Sequence, residues 1–175
     1  MVFGDLLVAL PVTPPCYNTQ TSSWLILKAL LHVSPGSVAD MFEDALTARL
    51  FVHTNPVTCI NFDVRLQALS LTHALVSSLR TTVDAFSNHC ITTLLESVIK
   101  PNLQWSAGRT AAATRKAALA ILLTLLKSDG EVSYNRCENT KIYVQNFPQM
   151  FPLLQTCLED FDTSMRELAM RCCCY

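Results

Sequence analysis

Three times along the chain an arginine opens an apolar run, with an alanine three positions behind it. The segments are Val64-Arg65-Leu66-Gln67-Ala68, Thr114-Arg115-Lys116-Ala117-Ala118 and Met165-Arg166-Glu167-Leu168-Ala169. The arginines are 50 and 51 residues apart. Each run follows another segment of helical composition, so the recurring unit is a pair of helices. One pair cannot bury its apolar face by itself, whereas pairs recurring at a near-fixed period stack on one another around a continuous core. The period exceeds the ~40–47 residues usual for HEAT and armadillo units, and the linkers expected at 53–62 and 101–110 account for the excess.

The middle run shows how such a stack is closed on both sides. Residues 102–127 read NLQWSAGRTAAATRKAALAILLTLLK, a polar turn followed by good helix formers, with no Gly or Pro from Arg109 until Gly130. Between Ala117 and Leu126 only Thr124 is polar. A helix that is apolar almost all round is covered on more than one face, so this one lies between neighbours.

Taken in order, 3–10 reads as a short helix and 12–23, with Pro14 and Pro15, as a loop. An apolar helix over 24–33 stops at Ser34-Pro35-Gly36. An amphipathic helix is expected over 38–52, a linker with Pro56 over 53–61, and a helix over 64–80 with Asp63 as its N-cap. Helix 83–100 ends before Pro101. Thr110 caps the central helix, which closes at Ser128-Asp129-Gly130. A polar loop follows over 131–140. Helix 141–159 is broken near Pro148 and Pro152, and the last helix starts near Ser164 with Ser164 and Glu167 at capping-box spacing. The expected fold is all-α, a HEAT/armadillo-type α-solenoid of stacked antiparallel helix pairs. Residues 1–175 form one segment with approximate repeats at 1–34 (partial), 38–80, 83–128 and 141–175. Its last helix has no polar cap, as if the array continued.

Half of the 175 residues are hydrophobic, 15% are charged and the net charge is −1. This composition builds a core and offers no global attraction to nucleic acid or an anionic membrane. The longest wholly apolar run, 117–123, is too short to span a bilayer, and 1–15 lacks the basic start of a signal peptide. The eight cysteines sit mostly in apolar helical contexts without Cys-x-x-Cys spacing, which fits a reducing cytosolic or nuclear setting.

No catalytic constellation is visible. His32, His53, His73 and His89 are scattered and do not supply the four converging ligands of structural zinc. Cys172, Cys173 and Cys174 point three ways if helical. Ser106-Ala107-Gly108-Arg109-Thr110 lacks the Gly-Lys-Ser/Thr ending of a phosphate loop and does not follow a strand. It reads as a turn. Catalytic, cofactor and metal residues are therefore expected to be absent. One charge feature remains. Residues 97–128 carry Lys100, Arg109, Arg115, Lys116 and Lys127 and no acid, whereas Glu159, Asp160 and Asp162 cluster near the last helix. Either the two sets meet where repeats stack, or Arg109 and Lys116 face outward and hold an acidic segment of a partner protein.

Pro152-Leu153-Leu154, Leu158, Asp160 and Met165-Arg166 with Ala169 resemble a HEAT repeat. In that family an Asp and an Arg knit neighbouring repeats together. The resemblance assigns this stacking role to Asp160 and Arg166, with Arg65 and Arg115 in the Arg position. The other two repeats depart from it, with Cys59 and Arg109 six residues before their arginines. The run Pro101-Asn102-Leu103-Gln104-Trp105 followed by Ala107-Gly108-Arg109-Thr110-Ala111-Ala112-Ala113 is similar to the C-terminal part of HEAT-repeat axonemal dynein preassembly factors. Met41-Phe42-Glu43-Asp44-Ala45 and Val64-Arg65-Leu66-Gln67-Ala68-Leu69 are consistent with it, and the likeness extends over most of 20–170. It implies a non-enzymatic cytoplasmic scaffold for dynein arms in ciliogenesis. The implied partners are axonemal dynein chains and other assembly factors or chaperones, with no cofactor, nucleic acid, membrane or small-molecule substrate. The alternatives are a HEAT-repeat binding module of nuclear transport or a phosphatase scaffold, and, from another class, a small helical enzyme.

Overall fold

A computed structural model of the chain describes residues 47–79, 88–131 and 136–175. The segments expected over 1–34, the start of the 38–52 helix, Cys16 and His32 lie outside the described residues. Six helices follow in order. Helix α1 is Thr47–Thr54 and α2 is Phe62–Leu79. Helix α3 joins Asn88–Thr93, a π-helical turn Leu94–Ile99 and Lys100–Leu103. Helix α4 is Arg109–Glu131, α5 is Arg136–Leu158 and α6 is Thr163–Cys173. The described residues contain no strand.

The helices pack as three successive pairs, α1 on α2, α3 on α4 and α5 on α6. The first members of the pairs form one row and the second members another, each helix touching its counterpart in the next pair. Side-chain bonds along the rows keep the sequence period. His73 Nε2 lies 3.1 Å from Thr124 Oγ1, 51 residues on. Asn102 Nδ2 donates to the Thr54 carbonyl at 2.8 Å, 48 residues back. Lys100 Nζ donates to Gln149 Oε1 at 2.7 Å, 49 residues on.

Helix α4 is enclosed, as its sequence requires. Ala118, Leu119, Ile121, Leu122, Leu123 and Leu125 are buried, and Ala117, Ala120, Thr124 and Leu126 are half-buried. On α2 one stripe of Val64, Ala68, Leu71 and Leu75 is buried, and so is a second stripe of Arg65, Leu69, Thr72 and Val76. The second stripe exists because α2 faces both its partner α1 and its row neighbour α4. Each fully buried Leu stabilises the stack by about 1.5–3 kcal/mol relative to exposure.

Several boundaries differ from the sequence reading, each for a local reason. Helix α5 runs unbroken through Pro148 and Pro152. Both prolines are exposed, as is Val144. The carbonyls that lose their donors, those of Val144 and Pro148, therefore lie on the water side, while Met150, Leu154 and Cys157 hold the other side in the core. Pro101 lies inside α3 rather than beyond it. The π turn precedes it, with the Lys100 N–H reaching the Leu95 carbonyl five residues back. This extra residue per turn relieves the register at which a proline ring meets the carbonyl of the previous turn. It also lets Lys100 reach α5 while Asn102 reaches α1.

Helix α1 continues through His53 and Thr54, both buried, so the linker shortens to 55–61. Helix α4 extends past Gly130 to Glu131, and α5 begins at Arg136 rather than near Lys141. The segment 136–140 has neither Gly nor Pro to stop it.

The caps fall two residues earlier than expected. Asn61 Oδ1 accepts from the Asp63 and Val64 amides at 3.0 and 3.3 Å. Asp162 Oδ1 accepts from the Ser164 and Met165 amides at 2.9 and 3.4 Å. In both cases Asp63 and Ser164 sit inside the first turn. Helix α4 starts at Arg109, after Gly108 rather than Thr110.

Candidate protein-interaction surface

The turns that join the two helices of each pair span 55–61, 104–108 and 159–162, and all three lie along one edge. The first two line opposite sides of a cleft of about 280 Å³, and the third is tied to the head of α4 by two ion pairs. Each turn ends on a residue that lets the next helix start, and two of these residues accept bonds from its first amides. Asn61 and Asp162 do this with their side chains. Gly108 does it with a φ of +109°, a conformation that disfavours any side chain although no atom stands within 4 Å of where a Cβ would be.

Counted from these caps, the three arginines are not equivalent. Arg65 and Arg166 follow their caps by four residues, and Arg115 follows Gly108 by seven. Helix α4 thus carries an extra turn before its arginine. The bonding follows. Arg65 Nη1 donates to the Cys59 carbonyl at 3.1 Å, and Arg166 Nη1 donates to the Asp160 carbonyl at 2.7 Å, each six residues back. Arg115, one turn deeper, sends Nη2 to Asp160 Oδ2 of the next pair at 2.9 Å. Its side chain is 5% exposed and that of Asp160 12%. Asp160 therefore serves two arginines, Arg166 through its backbone and Arg115 through its carboxylate. Beside it Lys116 Nζ meets Asp162 Oδ2 at 2.5 Å in a more open pair, 32% and 40% exposed. The Lys116 ammonium, the Ser164 hydroxyl and two backbone amides hold the Asp162 carboxyl well below the usual carboxylate range.

The basic run 97–128 is thus partly consumed inside the molecule. Lys100 is buried against Glu96, Asn146 and Gln149, Arg115 holds Asp160, and Lys116 holds Asp162. Arg109 is exposed on the first turn of α4. The same edge carries large apolar side chains in water: Val57 and Ile60 on the first turn, Trp105 on the second and Phe161 on the third, the last fully exposed. Ile60 and Phe161 each stand one residue before a cap. Apolar residues in linkers carry no periodicity, so this rim is invisible to a search for amphipathic stripes. A second exposed apolar strip, Val144, Phe147 and Phe151, runs along α5.

The remaining candidates are dispersed. His53 is buried, His73 is held by Thr124 with its pKa lowered by burial, and His89 is exposed. No three His, Cys, Asp or Glu side chains converge as metal ligands among the described residues. Cys172 points inward, its Sγ 3.6 Å from the Leu119 carbonyl, while Cys173 and Cys174 are exposed. Burial pushes the Cys172 thiol up to about 12. The Ser106–Thr110 segment forms the turn and the start of α4, not a phosphate cradle after a strand. No described helix is long and apolar enough to cross a membrane.

Comparison with curated proteins finds a match to dynein axonemal assembly factor 5 of Mus musculus, 34% identical over 105 residues. The match covers 58% of this chain and 10% of that relative, so the chain corresponds to a small part of its length. No family model and no solved structure matches the chain.

Proposed function

We propose that this chain is a HEAT-type solenoid segment that acts as a non-enzymatic cytoplasmic scaffold in the assembly of axonemal dynein arms. The observation that carries the reading is the stacking of three helix pairs at the period of the arginines, with an open edge of apolar and basic side chains. Such an edge suits extended protein surfaces, for which solenoids are built. The likeness to dynein axonemal assembly factor 5 supports the choice of clients, dynein chains and their assembly partners. Arg109 and Lys116 are the proposed outward contacts. Arg109 is exposed on the edge, and Lys116 keeps about a third of its side chain exposed while paired to Asp162.

The test is affinity capture with the purified chain from ciliating and non-ciliating cells, read by mass spectrometry. Dynein arm subunits or their assembly partners enriched from ciliating cells support the proposal. Capture of the same background from both refutes it. Phosphatase or nuclear-transport subunits would move the chain to another scaffold class.

A further inference from the structure

The cleft between the first two turns holds a buried cation that meets no acid among the described residues. Arg65 is 5% exposed. Among the described residues its guanidinium donates only through Nη1, to the Cys59 carbonyl. Its Nε is buried with no partner, and its plane lies over the Phe62 ring, 4.3 Å from the centroid. Burial lowers its pKa.

The next joint shows what is missing. There Arg115 is met by Asp160, two residues before the cap Asp162 of the following pair. The residue two before the cap Gly108 is Ser106, and it lines the same cleft as Arg65. At the first joint the place two before the cap holds a serine where the second has an acid, and Arg65 lies one turn nearer its own cap than Arg115 does. Around the arginine the cleft wall is mixed, with Ile60, Phe62, Trp105 and Pro101 beside the polar Asn102, Gln104, Ser106 and Thr114. Ile60 and Trp105 are 82% and 67% exposed, so these side chains have surface still to bury.

We propose that this cleft binds an acidic side chain of a partner protein, a Glu or Asp flanked by apolar residues, with its carboxylate completing Arg65 in the place that Asp160 fills for Arg115. The carboxylate answers the unpaired guanidinium, and a bond from a charged donor is stronger than a neutral one. The flanking residues cover Ile60 and Trp105. The inference rests on the protein-binding reading above but can fail separately from it.

The test uses glycine-flanked Leu-Glu-Leu and Leu-Gln-Leu peptides titrated into the full chain carrying Trp24→Phe, so that Trp105 is the only indole reporting. The Glu peptide is expected to bind about tenfold or more tightly than the Gln peptide, the difference between a charged and a neutral partner for a buried donor, with a blue shift of Trp105. Ser106→Asp supplies the acid from within. It is exposed, so it leaves the fold intact, and it is expected to raise the melting temperature and abolish the preference for Glu. Arg65→Gln should abolish it too, and if that variant fails to fold the serine variant still decides. Equal binding of the two peptides, a preference that survives Ser106→Asp, or competition by inorganic phosphate as effective as the peptide would each overturn the proposal. Equal binding of the two peptides while the chain still captures partners from ciliating cells would refute this site and leave the scaffold reading standing.

Discussion

Removing the Asp160 carboxylate should be the most damaging single change at the joint between the second and third pairs. Asp160→Ala leaves Arg115, 5% exposed, with a buried charge and no acid, and its Nε and Nη1 already lack partners. At about 4 Å between charge centres and an effective dielectric of about 20, the attraction is about 4 kcal/mol. Breaking a buried pair from one side typically costs about 3–5 kcal/mol, because the stranded charge keeps its desolvation penalty. The substitution also removes the acceptor of the Asp162 amide at 2.9 Å. We therefore expect a loss of about 3–5 kcal/mol in urea melts at neutral pH. Arg115→Met with Asp160→Leu should recover most of it, since an apolar pair of similar volume replaces the ions with little net change. Asp162→Asn is the control. It keeps the cap, breaks only the open pair with Lys116, and should lose far less than Asp160→Ala. A loss below about 1 kcal/mol for Asp160→Ala, or a double mutant no better than the single, would show that the buried pair does not hold the joint.

Other outcomes follow from the same structure. Leu122→Ala in the enclosed α4 should lose about 2–5 kcal/mol in denaturant melts. Burial lowers the His73 pKa, so the folded state favours the neutral ring. Its contribution is fully present above the ordinary histidine value of about 6.5 and is lost as pH falls below it. Melting temperature should therefore drop from pH 7 to pH 5, less so in His73→Gln. Brief iodoacetamide treatment of native protein, mapped by mass spectrometry, should label Cys173 and Cys174 and spare Cys59, Cys90, Cys157 and Cys172, which are buried.

The stack was legible because its signals are periodic. Arg65, Arg115 and Arg166 mark the second helix of each pair, and the all-round apolar run 117–126 marks the helix with neighbours on both sides. What escaped was set by single residues in turns. Asn61 and Asp63 are both good caps, as are Asp162 and Ser164, and the choice between them depends on where the turn delivers the chain rather than on composition. Pro148 and Pro152 normally stop a helix. They are carried here because both fall on the water side of α5 while its opposite side is pinned in the core. Counting six residues back from each arginine pointed to Arg109 as the counterpart of Asp160. The extra turn at the head of α4 moves that place to Ser106, and no pattern in the sequence announces an extra turn. The sequence left open whether the basic run meets the acids of 159–162 or faces outward, because those acids are distant in sequence. Asp160 and Asp162 come from the next pair to meet Arg115 and Lys116.

The central claim is that the edge formed by the intra-pair turns is the working surface. Hydrogen exchange of the chain, alone and bound to a captured partner, tests it most directly. New protection is expected to concentrate in 55–61 and 104–108 and to reach Phe161. Protection confined to the outer side of α5, around Val144, Phe147 and Phe151, with the turns unchanged, would contradict it.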